Sequence, residues 1–396
     1  MIGVPTPPRA PVLDWTSFAG PIRSTLPSVD QAPNSLLTTS GRAAIYQALK
    51  SLGLPAGRGV LVPTYHCPTM VAPVVQAGLE PLFFGLSDDA LPQLDAIPTA
   101  LSTRASAMVV AHYFGHARSL AAVRAWCDVR AIALIEDCAH CFFGQAGERQ
   151  VGHWGDFATA SLTKFFPVSE AGLLVSTGRA VNEIGLVGQG LRLQIKGWVD
   201  ILEQAHQSER LAGLNSALGA LLALKGRDGA APCPQNDALV ATGVKDVSGL
   251  DDIAQALADC DMARADARPL AVARHLFAAL PRQRIVTRRH AHHRQLRKAL
   301  TGAPGAHPLF DGEATGAPYA LPLWVDDADR VYQGLRQQGM PVFRWDRVWP
   351  GTPVLPDDCG ASWRHHVLQL VCHQDLRAEE VGKMAKVLLS LLRGQA

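Results

Sequence analysis

The sequence predicts an α/β protein in two parts: a large domain on a mainly parallel sheet covered by helices on both faces, and a smaller C-terminal α+β domain. Three observations lead there. Short, almost continuously apolar β-rich runs alternate with helix-length segments from Ser40 to about Thr177. Ala/Leu-faced helical stretches follow over 181–265, and the remaining chain mixes isolated strand signals with amphipathic helices. On these patterns the chain divides into an arm at 1–34, a large domain at 35–265 and a small domain at 266–396.

The elements can be justified in order. Residues 1–34 are rich in Pro and lack periodic apolar positions, which suits an irregular lead-in. Ser40 has the chemistry of a helix N-cap, and Ala44, Ile45, Ala48, Leu49 and Leu52 then recur at helical spacing. GVLVPTY (Gly59 to Tyr65), PLFFGL (Pro81 to Leu86), SAMVVAHYFG (Ser106 to Gly115) and AIALIED (Ala131 to Asp137) read as strands. Met70 to Ala77 and Ser119 to Arg130 read as helices between them. ATAS (Ala158 to Ser161) and AGLLVST (Ala171 to Thr177) have the same buried-strand character. GRDGAAPCP (Gly226 to Pro234) is the expected loop within the helical stretch. In the last part, YALPLWV, MPVFRWD and HVLQLVC are strand candidates and Arg377 to Arg393 a helix.

Composition narrows the function classes. Lys+Arg 37 against Asp+Glu 35 leaves no whole-protein field for nucleic acid or an acidic membrane. No run reaches the length of a membrane span, and the first residues, MIGVPTPPRAPVLDW, have no signal-type apolar core, so a cytoplasmic protein is expected. Eight scattered cysteines do not form a disulfide framework. Cys138 and Cys141 form a C-x-x-C pair, but zinc normally takes a second pair of ligands and none is spaced nearby, so no metal is expected. Gly185, Gly188 and Gly190 lack the spacing and context of a dinucleotide loop. The basic, histidine-rich run RRHAHHRQLRK (Arg288 to Lys298) is read as a solvated helix face, lacking the interleaved aromatics of a nucleic-acid site.

Chemistry concentrates at two places. The strand AIALI runs into Glu136 and Asp137, and the carboxyl ends of strands in open α/β sheets are where ligands bind. SLTKFFPV (Ser161 to Val168) sets Lys164 in an apolar, hydroxyl-bearing run just ahead of another strand. Each has a bland reading: a strand-end Asp that starts a turn, and a strand-end lysine that reaches to solvent. Together, a carboxylate, a lysine and a hydroxyl at one sheet edge suit pyridoxal phosphate. The lysine attaches the cofactor aldehyde, the carboxylate keeps the pyridine nitrogen protonated, and hydroxyls with backbone N–H groups hold the phosphate. Apolar neighbours help such a lysine by lowering its pKa. The small-residue helix start Thr38 to Ala44 adds Gly41, where a ligand phosphate can approach free N–H groups.

TSGRAAIYQAL, VPTYHCPTMVAPV, VVAHYFGHARSL, IEDCAHCFFG, SLTKFFPVSEAGLLVS and HQDLRAEEV occur in the order found in the DegT/StrS sugar aminotransferases, and the chain resembles an outlying member of that family. The likeness is good over roughly 36–180 and thin beyond. It implies fold type I of the pyridoxal-phosphate enzymes, a homodimer with the site at the interface, and amino transfer from glutamate or glutamine to a nucleotide-linked keto-sugar. By resemblance Lys164 is the cofactor-attachment lysine, Asp137 the pyridinium partner, and His140 the residue near the ring's phenolic oxygen. Gly41 and Arg42 match the phosphate turn, and either Ser161 or Thr159 supplies its hydroxyl.

The departures matter as much. The position of the ring-stacking aromatic falls at Cys67, so Tyr65 or His66 is expected to provide the ring. The family's interface segment, G-x-N-x-R, is not recognisable in QGLRLQIKGWVDILEQAH. Arg344, between Phe343 and Trp345, suits a substrate carboxylate or phosphate, or else a packed pair with an acid at a domain seam. His373 is a further substrate-site candidate. Two rival functions stay open: another fold type I reaction (dehydration, decarboxylation or condensation), and a non-catalytic binding or regulatory protein on the same fold.

Overall fold

The structure, a computed structural model, describes residues 6–219 and 250–394; the loop expected at 226–234 lies outside the described residues. The large sheet is built from β1 (Asn34–Thr38), β2 (Gly59–Pro63), β3 (Glu80–Phe84), β4 (Ala105–Ala111), β5 (Ala133–Asp137), β8 (Phe157–Ser161) and β9 (Gly172–Ser176), with a two-stranded hairpin of β6 (Gln145–Ala146) and β7 (Arg149–Gln150) set apart. Its order is β1-β9-β8-β5-β4-β2-β3. The pairs from β3 through β8 are parallel, and β9 and β1 close one edge antiparallel. Every residue of β2 and β9 is buried, so these strands read as uninterrupted apolar runs.

β1 was not apparent in the sequence. NSLLT is short and half polar, and it becomes a strand by pairing residue for residue with β9. The helices that flank the sheet are α1 (Gly41–Ser51), α2 (Pro68–Gln76), the single turn α3 (Thr99–Ser102) and α4 (Ala121–Val129). Ser40 caps α1 as its type predicts, accepting the Ala43 N–H at 3.2 Å. Beyond the sheet, α5 (Leu191–Gln207) and α6 (Leu250–Asp259) account for part of the expected helical stretch, and α7 (Ala271–Ala279) and α8 (Arg282–Ala299) follow.

The small sheet, β10 (Ala306–Pro308), β11 (Ala320–Val325), β12 (Val342–Phe343) and β13 (Val367–Val371), is antiparallel in the order β10-β11-β13-β12. It is accompanied by α9 (Ala328–Gln337), α10 (Cys359–His366) and α11 (Ala378–Leu392). Apolar burial falls into two clusters, one under the large sheet and one under the small. Helix α8 serves both: Ile285 and Val286 join the first and Leu296 the second. Its histidine-rich run is not a solvated face. Arg289, His292 and His293 are buried, because carbonyl groups of Lys164, Gln374 and His373 reach this helix.

Candidate active site

The site lies where β2, β4, β5 and β8 end. Asp137 terminates β5 and is buried; its Oδ1 accepts the Ala139 N–H at 2.9 Å and the Thr159 hydroxyl at 3.4 Å. Burial raises its pKa, while the Lys164 charge and these two donors pull the other way. Lys164 follows β8 on one turn of 3-10 helix, Leu162–Lys164, and is half-buried. Desolvation holds its amine below the ordinary lysine value, against the opposing pull of Asp137 and Cys67. The two predicted residues therefore meet electrostatically at one sheet edge.

The α1 N-terminus completes this edge. A methyl on Gly41 would lie 3.2 Å from the Ser161 Cβ, which places the helix start directly against Ser161. Gly172, the first residue of β9, makes the approach possible, since a Cβ there would fall 2.1 Å from the Ser40 carbonyl oxygen. The first N–H groups of a helix have no intrahelical acceptor; that of Ala43 goes to Ser40, leaving those of Gly41 and Arg42 beside Ser161. Of the two hydroxyls considered for a phosphate, that of Thr159 turns to Asp137 and that of Ser161 lies 3.3 Å from the Thr163 hydroxyl. The Arg42 guanidinium turns away and binds Asp261, so its backbone, not its charge, belongs to this turn.

His140 is buried, and desolvation together with the Lys164 charge lowers its pKa well below the usual value, so the imidazole is neutral. Its Nδ1 accepts the Phe114 N–H at 3.4 Å, which leaves Nε2 as the N–H donor. The ring stacks on Tyr319 with centroids 4.1 Å apart and planes at 16°. Tyr319 also lies under Lys164, whose Nζ is 5.2 Å from its centroid. This tyrosine comes from the small domain and carried no signal in the sequence. It is tied in by its N–H, which donates to the Phe114 carbonyl at 3.1 Å. Phe114 holds a left-handed φ of 58°, and Gly115 beside it (φ 101°) leaves only 2.6 Å between a hypothetical Cβ and the Pro318 Cα. A bulky residue in this region is strained, and here the strain brings the small domain onto the strand ends.

The structure gives the two expected replacements for the aromatic at position 67, Tyr65 and His66, other partners. The Cys67 thiol lies near Lys164 and Tyr319. His66 faces away: its Nδ1 lies 2.8 Å from the Pro63 carbonyl and its Nε2 accepts the Trp349 N–H at 2.9 Å, so it anchors the loop after β12. Burial lowers its pKa to about 4. Tyr65 is buried among Tyr113, Phe114, Trp345 and Trp363. From the segment around Arg344, it is Trp345 that reaches the site, 4.8 Å from His140. Arg344 itself binds Asp329 and the carbonyls of Arg364 and His365, which is the packed pair and not a free anion receptor. His373 bonds the Pro8 carbonyl at 2.9 Å and accepts the Asp375 N–H at 3.3 Å, so it fastens the N-terminal arm rather than facing Lys164.

His112, Glu136 and Cys138 come within metal-ligating distance of one another, a grouping that includes only one member of the C-x-x-C pair. The Glu136 carboxylate already takes His112 Nε2 and the N–H groups of Gly152, Trp154 and Gly155. With both oxygens engaged, it braces the strand end beside Asp137 instead of presenting a ligand.

A lysine and an aspartate at the carboxyl ends of this sheet, closed by a small α+β domain, define fold type I of the pyridoxal-phosphate enzymes. The chain belongs to the DegT/DnrJ/EryC1/StrS aminotransferase family, whose sequence model matches residues 29–228. It is 27% identical over 186 residues to a GDP-perosamine synthase of Vibrio cholerae, covering 46% of this chain and 50% of that protein. It is 30% identical over 184 residues to a dTDP-3-amino-3,4,6-trideoxy-alpha-D-glucose transaminase of Micromonospora megalomicea, covering 45% and 46%. The chain thus matches about half the length of these relatives. Among solved structures, an aminotransferase from Psychrobacter cryohalolentis superposes with a TM-score of 0.62 at 14% identity, over 92% of this chain and 89% of that one. Among the described residues, no helix is long and apolar enough to cross a membrane.

Proposed function

We propose that this protein is a pyridoxal-phosphate-dependent aminotransferase that takes an amino group from glutamate or glutamine and delivers it to the keto group of a sugar, nucleotide-linked as in the relatives' names. The observation that carries the reading is the meeting of Asp137 and a half-buried, pKa-lowered Lys164 at one sheet edge. The cradle fits the cofactor as well: Gly41 and Gly172 leave space that a Cβ would fill, beside the Ser161 hydroxyl and free helix N–H groups. When bound, pyridoxal phosphate supplies an aldehyde for an amine and a ring that withdraws electrons from it.

The chain's own residues then have defined tasks. Gly41, Arg42 and Ser161 would hold the phosphate through two N–H groups and a hydroxyl. Asp137, oriented by Ala139 and Thr159, keeps a proton at the pyridine nitrogen. Neutral His140 offers Nε2–H to the phenolic oxygen. Lys164 would be the attachment point, and its amine would hold and return the proton of the donor's α-carbon as a general base and acid. Its lowered pKa leaves more of the amine unprotonated near neutral pH, which is the form a base needs. We place the enzyme in the cytoplasm and expect a homodimer with the site at its interface.

The test is absorbance of the purified protein with added pyridoxal phosphate, for wild type and Lys164→Ala, before and after glutamate. A visible band in wild type only, lost on adding glutamate, is the expected result. A wild-type protein with no band, or a band unchanged in Lys164→Ala, ends this reading.

A further inference from the structure

Arg289 is buried in the centre of the molecule, and its contacts converge on one point. From α8 its Nε donates to the Gln374 side-chain oxygen at 2.9 Å and its Nη1 to the Pro318 carbonyl at 2.9 Å, with the Tyr319 carbonyl at 3.4 Å. Its Nη2 donates to the carbonyl of Lys164. The guanidinium also lies over the Phe165 ring, 4.4 Å from its centroid, and Gln374 donates to the Phe165 carbonyl at 2.8 Å. Among the described residues no carboxylate bonds it; Asp375, which acts on it electrostatically, is held by Arg284 at 2.6 Å. A buried cation is costly, and this one is hydrogen-bonded only to carbonyl oxygens, which a planar fork of five donors can satisfy at several angles.

We propose that Arg289 is a positioning residue for Lys164: a single guanidinium grips the main chain of Lys164 in the large domain and of Pro318 and Tyr319 in the small one, fixing the lysine amine against the Tyr319 ring and out of water. The inference rests on the aminotransferase reading for Lys164 but concerns a residue that never touches the reacting atoms. The groups that bear on the lysine amine are Asp137 from β5, His140 beyond it, Cys67 ahead of α2 and Tyr319 from the small domain. Those around Arg289 are Asp375, Cys372, Tyr319, His292 and His373, and Arg289 stays cationic at neutral pH because burial lowers its pKa only to about 10. Desolvation is the main cause of the low Lys164 pKa, so loosening the grip lets water in and raises it.

The experiment measures how fast the visible band forms when pyridoxal phosphate is added to cofactor-free protein, as a function of pH. Wild type, Arg289→Lys, Arg289→Met and Gln374→Met are compared, with thermal midpoints measured in parallel. The inflection of this rate reports the lysine amine. In both Arg289 variants it is expected to move up towards the ordinary lysine value, by about one pH unit, slowing attachment near neutrality about tenfold. Arg289→Lys keeps the charge and loses the fork, so a shift there assigns the effect to geometry. Gln374→Met, which frees one arm of the fork, shifts it less and in the same direction. A folded Arg289→Lys with the wild-type inflection overturns the proposal, even if its thermal midpoint falls, since the role is then structural. If both Arg289 variants fail to fold, Gln374→Met decides, and an unmoved inflection there overturns it. A wild type that forms no band is a different failure, that of the aminotransferase reading.

Discussion

Replacing Gly172 by Ala tests the phosphate cradle at its tightest contact. The added methyl would sit 2.1 Å from the Ser40 carbonyl oxygen, 2.2 Å from its carbon and 2.7 Å from the Gly41 nitrogen. Non-bonded carbon contacts are at their best near about 3.5 Å, so one side must retreat by roughly 1 Å or more. β9 is not free to do so, because it is laddered to β1 on one side and to β8 on the other. The Ser40–Gly41 turn therefore moves, and with it the N–H groups beside Ser161. Overpacking of this kind costs about 1–3 kcal/mol of stability, and a misplacement of about 1 Å in a positioning element costs up to roughly a hundredfold. The expected result is pyridoxal phosphate affinity weakened by about ten- to a hundredfold with a lowered thermal midpoint. Gly41→Ala is the internal control: its Cβ meets the Ser161 Cβ at 3.2 Å and the Ala160 oxygen at 3.5 Å, which needs an adjustment of a few tenths of an ångström. Titration of absorbance with cofactor, alongside thermal melts by circular dichroism, reads both. Wild-type affinity in Gly172→Ala, or a larger loss in Gly41→Ala, would refute the steric reasoning.

Acid should destabilise the fold through its buried imidazoles. Burial lowers His66 to about 4, His116 to about 3 and His293 to about 4 from an ordinary 6.5. The unfolded chain binds these protons first, so their stabilisation is fully present above pH 6.5 and is lost as pH falls towards 4. Each imidazole adds at most about 1.4 kcal/mol per pH unit to the slope; denaturant midpoints that stay level from neutral pH to about pH 5 would sink the idea, and His293→Gln should flatten the curve. Arg344→Ala leaves the Arg364 and His365 carbonyls without their donor and should lower stability by about 1–3 kcal/mol while pyridoxal phosphate binding is kept. A variant as stable as wild type that loses keto-substrate binding alone would return Arg344 to the substrate site.

What could be read from the sequence follows from how each feature is stabilised. β2, β4, β5, β8 and β9 are mostly or wholly buried, so apolar continuity marks them directly. Asp137 and Lys164 stand out because each ends such a run with a charge that burial does not tolerate unless it is used or paired. Features fixed by distant partners left no local trace. Arg289 and His292 belong to a run as polar as any solvated helix, and only the carbonyls of Lys164, Pro318 and His373 make their burial possible. His66 could be placed near the cofactor by its neighbours in sequence, yet its role is set by Trp349 from the loop after β12. Tyr319 looked like the start of a strand, and its place under Lys164 depends on how the small domain docks on the Phe114 turn.

The same logic applies to the stretch after Lys164, where the family's interface segment is not recognisable in QGLRLQIKGWVDILEQAH. The chain leaves the core at Val187 and comes back beside it: the Val187 N–H donates to the Asp266 carbonyl, and the Arg268 N–H to the Val187 carbonyl, both at 2.8 Å. An excursion whose two ends are hydrogen-bonded to each other can be lengthened without disturbing what lies on either side, because loop closure grows costly only slowly with length. The match to the family model stops at residue 228, inside this excursion. Part of what surrounds the Lys164 segment comes after it. Glu170, just past the lysine, accepts Gln189 at the departing end, and the Leu270 N–H and the Arg264 guanidinium at the returning end. Arg264 and Leu270 are thus neighbours of the Lys164 segment in space and strangers to it in sequence. The aminotransferase from Psychrobacter cryohalolentis still superposes over nine-tenths of this chain.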